Sequence, residues 1–166
     1  AIPIMLRLAL LENLRRVITS VTAGRHERER ANQWVDAMVT ASTSDPGRVV
    51  VVLAEMVEQG EALTAAFVSE LASRLQAHGP GLQLVMSWLE QRLDGEGETL
   101  EHVFHVASQN QAADQVSVSN SIGSLRYLGA TDWRDFVEAT SIVEVILRGD
   151  PAGVYATMDF ATRDRY

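Results

Sequence analysis

Apolar residues fall three and four apart through most of this chain, and that spacing limits the fold more than any other feature. Ile4, Leu8, Leu11 and Leu14 open the pattern, recurring along one side of a helix. Pro3 suits the first helical position, where its missing N–H costs nothing. Arg15 and Arg16 suit a helix end, where cations complement the dipole. RHERER, residues 25–30, reads as the solvated start of a second helix with Trp34, Val35, Met38 and Val39 on its buried side. Asp45, in the loop ASTSDPG, is an N-cap candidate before Pro46 for a third helix ending near Gly60. The VVVV run, residues 49–52, is β-branched and would favour a strand elsewhere. Its continuation through Leu53, Met56 and Val57 keeps the helical period, so a helix is predicted.

Thr64 is predicted to cap a fourth helix carrying Phe67, Val68, Leu71 and Leu75, stopped by HGPG at 78–81. A fifth spans Leu82 to Leu93, with Leu84, Val85, Trp88 and Leu89 on its apolar side, and DGEGE breaks it. Thr99 starts a long sixth helix through Val103, Phe104, Val106 and Ala107. A shorter helix follows over 120–128, capped by Ser119 or Asn120, with VSNS as the turn. Thr131 or Asp132 caps the next, whose apolar residues are Trp133, Phe136, Val137, Ile142, Val143, Val145 and Ile146. Asp150 and Asp159 begin two last short helices. Starts near residues 3, 46, 80 and 120 suggest two-helix units of roughly 35–40 residues, a spacing at which hairpins stack as a solenoid. The expected fold is all-α, either stacked helical hairpins (a solenoid resembling tetratricopeptide repeats, without their Trp, Gly and Tyr pattern) or an irregular helical bundle.

A chain of 166 residues buries roughly 70% of its unfolded surface and needs no metal or disulfide to hold a core. It has no cysteine, which excludes disulfides, thiolate metal sites and cysteine nucleophiles. Its net charge of −8 opposes binding to nucleic acid, whose affinity comes from Lys and Arg on phosphates, and to anionic lipid surfaces. AIPIML ends at Arg7 and VVVVLAEMV is interrupted by Glu55, so no apolar run approaches the roughly 20 residues of a membrane helix. No direct membrane insertion is expected, and no secretory leader is recognisable. The chain opens at Ala1 and stops after TRDRY in helix-like sequence, as a piece of a longer protein would.

Motifs for chemistry are sparse. Nucleotide-sugar transferases hold a metal-bound diphosphate with two aspartates one residue apart, and no two aspartates here have that spacing. A Q-x-x-R-W acceptor motif, a phosphate-cradling glycine loop and a G-x-S-x-G elbow are absent as well. His102 and His105 share a helix face, but a metal helix adds a third ligand, and HEXXH is not present. No catalytic, cofactor-binding or metal-binding residue is therefore assigned. Tyr155 and Trp133 read as packing residues.

The stretch QNQAADQVSVSNSIGSLR, residues 109–126, is the exception in polarity. On a helix, Ser108, Gln111 and Gln115 make one stripe and Asn110, Asp114, Ser117 and Ser121 another, with Ala112, Ala113 and Val116 between them. Two readings stand. Either the stretch is an interhelix hydrogen-bond seam, whose buried amides find partners in neighbouring helices, or Ser108, Gln111, Asp114, Gln115 and Asn120 face a groove that binds sugar hydroxyls or a partner.

Three segments, AIPIMLRLALLENLRR (1–16), QAADQVSVSNSIGSLRYLGATDWRDFVE (111–138) and DPAGVYATMDFATRDRY (150–166), resemble the N-terminal region of cyclic β-1,2-glucan synthases, large inner-membrane enzymes of Gram-negative bacteria. The resemblance implies one helical domain over 1–166, part of a much larger multidomain enzyme whose transferase uses UDP-glucose with a divalent metal. None of the family's transferase motifs maps onto a residue here, so the segment itself is expected to carry no cofactor and no catalysis. The expected role is a non-catalytic scaffold docking against other domains of the synthase on the cytoplasmic side, where the sugar donor is. The alternative is a carbohydrate-binding module that holds the growing β-1,2-glucan.

Overall fold

The structure, a computed structural model, describes residues 2–60, 62–133, 136 and 140–163. Among these the regular structure is helical and no strand occurs, as the apolar spacing requires. The helices are α1 (Ile2–Ser44), α2 (Arg48–Glu58), α3 (Ala65–Ala77), a 3₁₀ turn (Gly79–Leu82), α4 (Gln83–Gly95), α5 (Leu100–Ala130), α6 (Ile142–Arg148), α7 (Val154–Thr157) and α8 (Phe160–Arg163). They divide into two compact units, Glu12–Asn120 and Ala1–Leu11 with Ser121–Tyr166. Helices α1 and α5 supply residues to both.

The two helices expected at the start of the chain are one. Between Arg16 and Ser44 there is no proline, and the single glycine, Gly24, weakens a helix by about 1 kcal/mol without ending it. Thr19 and Thr22 do not cap; their hydroxyls donate back to the carbonyls of Arg15 and Ile18 at 3.0 and 2.7 Å. RHERER lies inside α1, laced by Arg25–Glu29 and Arg30–Glu27 pairs at 3.3 and 3.0 Å. Arg15 grips Glu12 through two nitrogens, both at 2.8 Å. That bond holds the Glu12 carboxyl down to about 2, although so exposed a pair adds little stability.

The core lies in the larger unit. Ala31, Val35 and Met38 of α1 meet Val49, Leu53 and Met56 of α2, Phe67, Val68, Leu71, Ala72 and Leu75 of α3, and Val85, Leu89 and Leu93 of α4. Val103 of α5 and Leu82 of the 3₁₀ turn complete it. Polar side chains join the helices around its edge. Arg74 donates to Asn32 Oδ1 and to Asp36 Oδ1, both at 2.9 Å, and the Arg30 guanidinium stands 5.4 Å from the Phe67 ring centre.

Several breaks fall where the sequence places them. Thr64 Oγ1 accepts from the Phe67 amide at 3.2 Å and starts α3, and Thr99 Oγ1 accepts likewise from His102 at the start of α5. The DGEGE break is a Schellman close. Gly97 takes φ +76, its amide donates to Asp94 O, and the Glu98 amide donates to Leu93 O, filling carbonyls that the helix end leaves open. Asp45 does not cap α2. Its Oδ1 accepts from the amide of Gly47, two residues on, at 2.9 Å, and Gly47 holds the cap position with no side-chain bond.

In the smaller unit, Leu128 O near the end of α5 receives Arg7 Nη2 at 3.1 Å and Trp133 Nε1 at 3.0 Å. This is one of the carbonyls that a helix leaves unpaired at its C-terminus. Ser141 Oγ accepts from the Glu144 amide and caps α6, and Asp159 Oδ1 accepts from Thr162 to start α8. The helix expected after Thr131 falls partly on residues 134, 135 and 137–139, outside the described residues. Of the apolar residues expected on that helix, Ile142, Val143, Val145 and Ile146 have 75, 63, 66 and 68% of their surface exposed.

The all-α expectation holds. Equal hairpin repeats do not: the start expected at 120 falls inside α5, because VSNS continues that helix. Ser119 and Asn120 therefore cap nothing. The larger unit is an irregular bundle, the second of the two expected architectures.

Candidate functional site

Within the larger unit, α1 and α5 run antiparallel. Asn13 Nδ2 donates to Ser117 Oγ at 2.9 Å and Ser20 Oγ donates to Asp114 Oδ2 at 3.1 Å, so partners descend along α5 as residues ascend along α1. The hydrogen-bond seam expected of the polar stretch is therefore carried by Ser117 and Asp114. Gln111 and Gln115 are exposed, as are Ala112, Ala113 and Val116, which form an outer face of α5 instead of packing between neighbours.

Beyond the Ser20–Asp114 bond, the surfaces of α1, α3 and α5 bound an open cleft of about 740 Å³, a volume usual for a small-molecule site. Helix α5 lines it with Phe104, Ala107, Ser108, Asn110, Gln111, Asp114, Gln115, Val118 and Ser119. These positions follow the three-and-four spacing of one helix side. From α1 come Ser20, Val21, Gly24 and Arg28, and from α3 Ala65, Ala66, Ser69 and Glu70. The α3 group is the side of that helix turned away from Leu71 and Leu75. A Cβ at Gly24 would stand 3.8 Å from Arg28 Nη1, an ordinary van der Waals contact.

Four of the five candidate residues, Ser108, Gln111, Asp114 and Gln115, thus share one cleft. Asn120 does not line it. The contributions of α1 and α3 were not picked out in the sequence, since they lie about 40–90 residues away and only packing brings them near. Among the described residues the lining mixes hydroxyls and amides with one guanidinium and two carboxylates, and its apolar members are Phe104, the alanines, Val21 and Val118. Such a surface offers both donors and acceptors. The two helical histidines are engaged elsewhere: His105 Nε2 is 2.8 Å from Gln109 Nε2 and His102 Nε2 is 3.6 Å from Glu98. Among the described residues no three His, Asp or Glu side chains converge in a metal-binding group. Nor is any described helix long and apolar enough to cross a membrane.

A second cleft, about 530 Å³, lies in the smaller unit between α6 and α7 and is lined by Ile146, Leu147, Pro151, Val154, Tyr155 and Met158 among others. Beside it Glu144, only 8% exposed, gathers Tyr155 OH at 2.7 Å, Arg148 Nε at 3.1 Å and Arg163 Nη1 at 3.6 Å. Tyr155 is thus a hydrogen-bond donor as well as a packing residue. The tyrosine bond, ahead of the two arginines, lowers the Glu144 pKa against the opposing effect of burial.

No protein-family model matches the chain. No solved structure matches it. Cyclic beta-(1,2)-glucan synthase NdvB of Rhizobium meliloti (strain 1021) is 32% identical to it over 169 aligned positions, which take in 100% of this chain and 6% of that protein. Along its whole length, then, this chain is similar to a segment of a cyclic β-(1,2)-glucan synthase.

Proposed function

We propose that the chain is a docking and scaffolding segment of a cyclic β-(1,2)-glucan synthase, supporting glucan synthesis from UDP-glucose without performing the transfer itself. The observation that carries this reading is the aliphatic surface of α6, where Ile142, Val143, Val145 and Ile146 stand mostly in solvent. Fully burying one such side chain gains about 1.5–3 kcal/mol, and clustered apolar exposure of this kind marks an interaction surface. The partner in this reading is another domain of the same polypeptide, since the chain spans 6% of the length of its relative. The role is positional: docking fixes the distance between catalytic domains and the growing glucan. The segment sits on the cytoplasmic side, where UDP-glucose is available, and takes any divalent metal requirement from the transferase domain.

The test is made in the full-length synthase. Ile142→Glu with Ile146→Glu, both at exposed positions, is expected to lower glucan yield or shift ring size while the enzyme still accumulates at its normal level. Unchanged yield and ring size would overturn the reading.

A further inference from the structure

We propose that the cleft of the larger unit binds a neutral, hydroxyl-rich oligosaccharide, a stretch of linear β-(1,2)-glucan. Its ligand class rests on the reading that the chain is part of a glucan synthase; its location rests on the cleft alone.

Three properties of the cleft support a polyol. Asn110, Gln111 and Gln115 present amide groups on the α5 side, all exposed and none bonded to another described side chain. Each amide both donates and accepts, as each sugar hydroxyl does, so a row of them matches a chain of hydroxyls without fixing its direction. Asp114 is oriented by Ser20 through one carboxylate oxygen, leaving the other to accept from a hydroxyl. Among the described lining residues the charges are one guanidinium, Arg28, against two carboxylates, Glu70 and Asp114. That balance disfavours a phosphate or diphosphate ligand, whose binding draws on positive charge. Among the described lining residues Phe104 is the only aromatic one, so affinity comes from hydrogen bonds and not from ring stacking. The net value of each is small because water competes for the same groups. Such a site holds a chain loosely and lets it slide, as a segment beside a polymerising enzyme requires.

The experiment titrates the 166-residue chain with linear β-(1,2)-gluco-oligosaccharide, with cellohexaose and UDP-glucose as controls, following backbone amide shifts. Millimolar affinity is expected, with shifts gathered at Ser69, Asn110, Gln111, Asp114 and Gln115. Replacing Gln111→Ala and Gln115→Ala together, at exposed positions, is expected to weaken binding by about tenfold with no change in melting temperature. Absence of shifts at millimolar ligand overturns the site, and so do shifts elsewhere or an unchanged affinity in the double variant. Equal or tighter binding of cellohexaose or UDP-glucose overturns the ligand class. The docking reading fails separately: if the α6 variants leave synthesis untouched while the amide shifts appear, docking falls and the binding site stands.

Discussion

Tyr155 donates a 2.7 Å hydrogen bond to Glu144, eleven residues earlier, and joins α7 to α6 through a carboxylate that solvent scarcely reaches. Arg148 and Arg163 complete the group at 3.1 and 3.6 Å. The same bond that lowers the Glu144 pKa raises that of Tyr155, because it favours the charged acid and the neutral phenol together.

A pH dependence of stability follows from that cluster. Glu144 titrates lower in the folded chain than in the unfolded one, so its contribution is complete above the ordinary carboxylate range and is lost as pH falls through its folded value. Tyr155 runs the other way: its contribution is complete below the ordinary phenol value and is lost as pH rises through a higher one. Thermal melts across pH are expected to show both limbs. Glu144→Gln removes most of the acid limb attributable to this group, and Tyr155→Phe weakens both limbs while lowering the melting temperature at neutral pH.

Thr64 carries two bonds, accepting from the Phe67 amide and donating to Glu27 Oε2 at 3.2 Å. Thr64→Ala is expected to cost about 1 kcal/mol, the usual value of a lost N-cap, read as a lower urea midpoint with an unchanged slope.

Gly24 sits in the interior of α1, and an added Cβ meets only the flexible end of Arg28, at 3.8 Å. Gly24→Ala is therefore expected to stabilise the chain by about 0.5–1 kcal/mol, measured by the same denaturation.

Leu71 and Ile142 separate burial from apolarity. Leu71 is fully buried in the core, and Leu71→Ala is expected to cost about 2–5 kcal/mol. Ile142 is three-quarters exposed, and Ile142→Ser is expected to change the stability of the isolated chain by less than about 0.5 kcal/mol.

What the sequence discloses follows the strength of its local signals. Thr64, HGPG and DGEGE end or start helices because a side-chain cap or a left-handed glycine satisfies the end groups on the spot, and these were legible. Gly24, RHERER and VSNS resemble interruptions but lack such a bond, and helix packing carries the chain through them. The core side of α3 was legible residue by residue, since Phe67, Val68, Leu71 and Leu75 repeat at helical spacing and all are buried. The apolar spacing of Ile142, Val143, Val145 and Ile146 marks a helix side that is exposed, because periodicity reports an apolar side without supplying the surface that covers it. For the cleft, one wall was readable: helical spacing puts Ser108, Gln111 and Gln115 side by side. Ser20, Arg28, Ser69 and Glu70 reach it from α1 and α3, a convergence that no local pattern encodes.

The four valines at 49–52 are held helical in α2, with Val49 buried and Val50 and Val51 half in solvent. Once heat melts that helix the run becomes an uncharged, strand-prone tract of the kind that seeds intermolecular β-pairing, with Arg48 and Glu55 as its nearest charged guards. Its conformation is thus a matter of solubility as well as of packing: thermal unfolding at high concentration is expected to end in precipitation, and a charge at Val51 would be the simplest remedy.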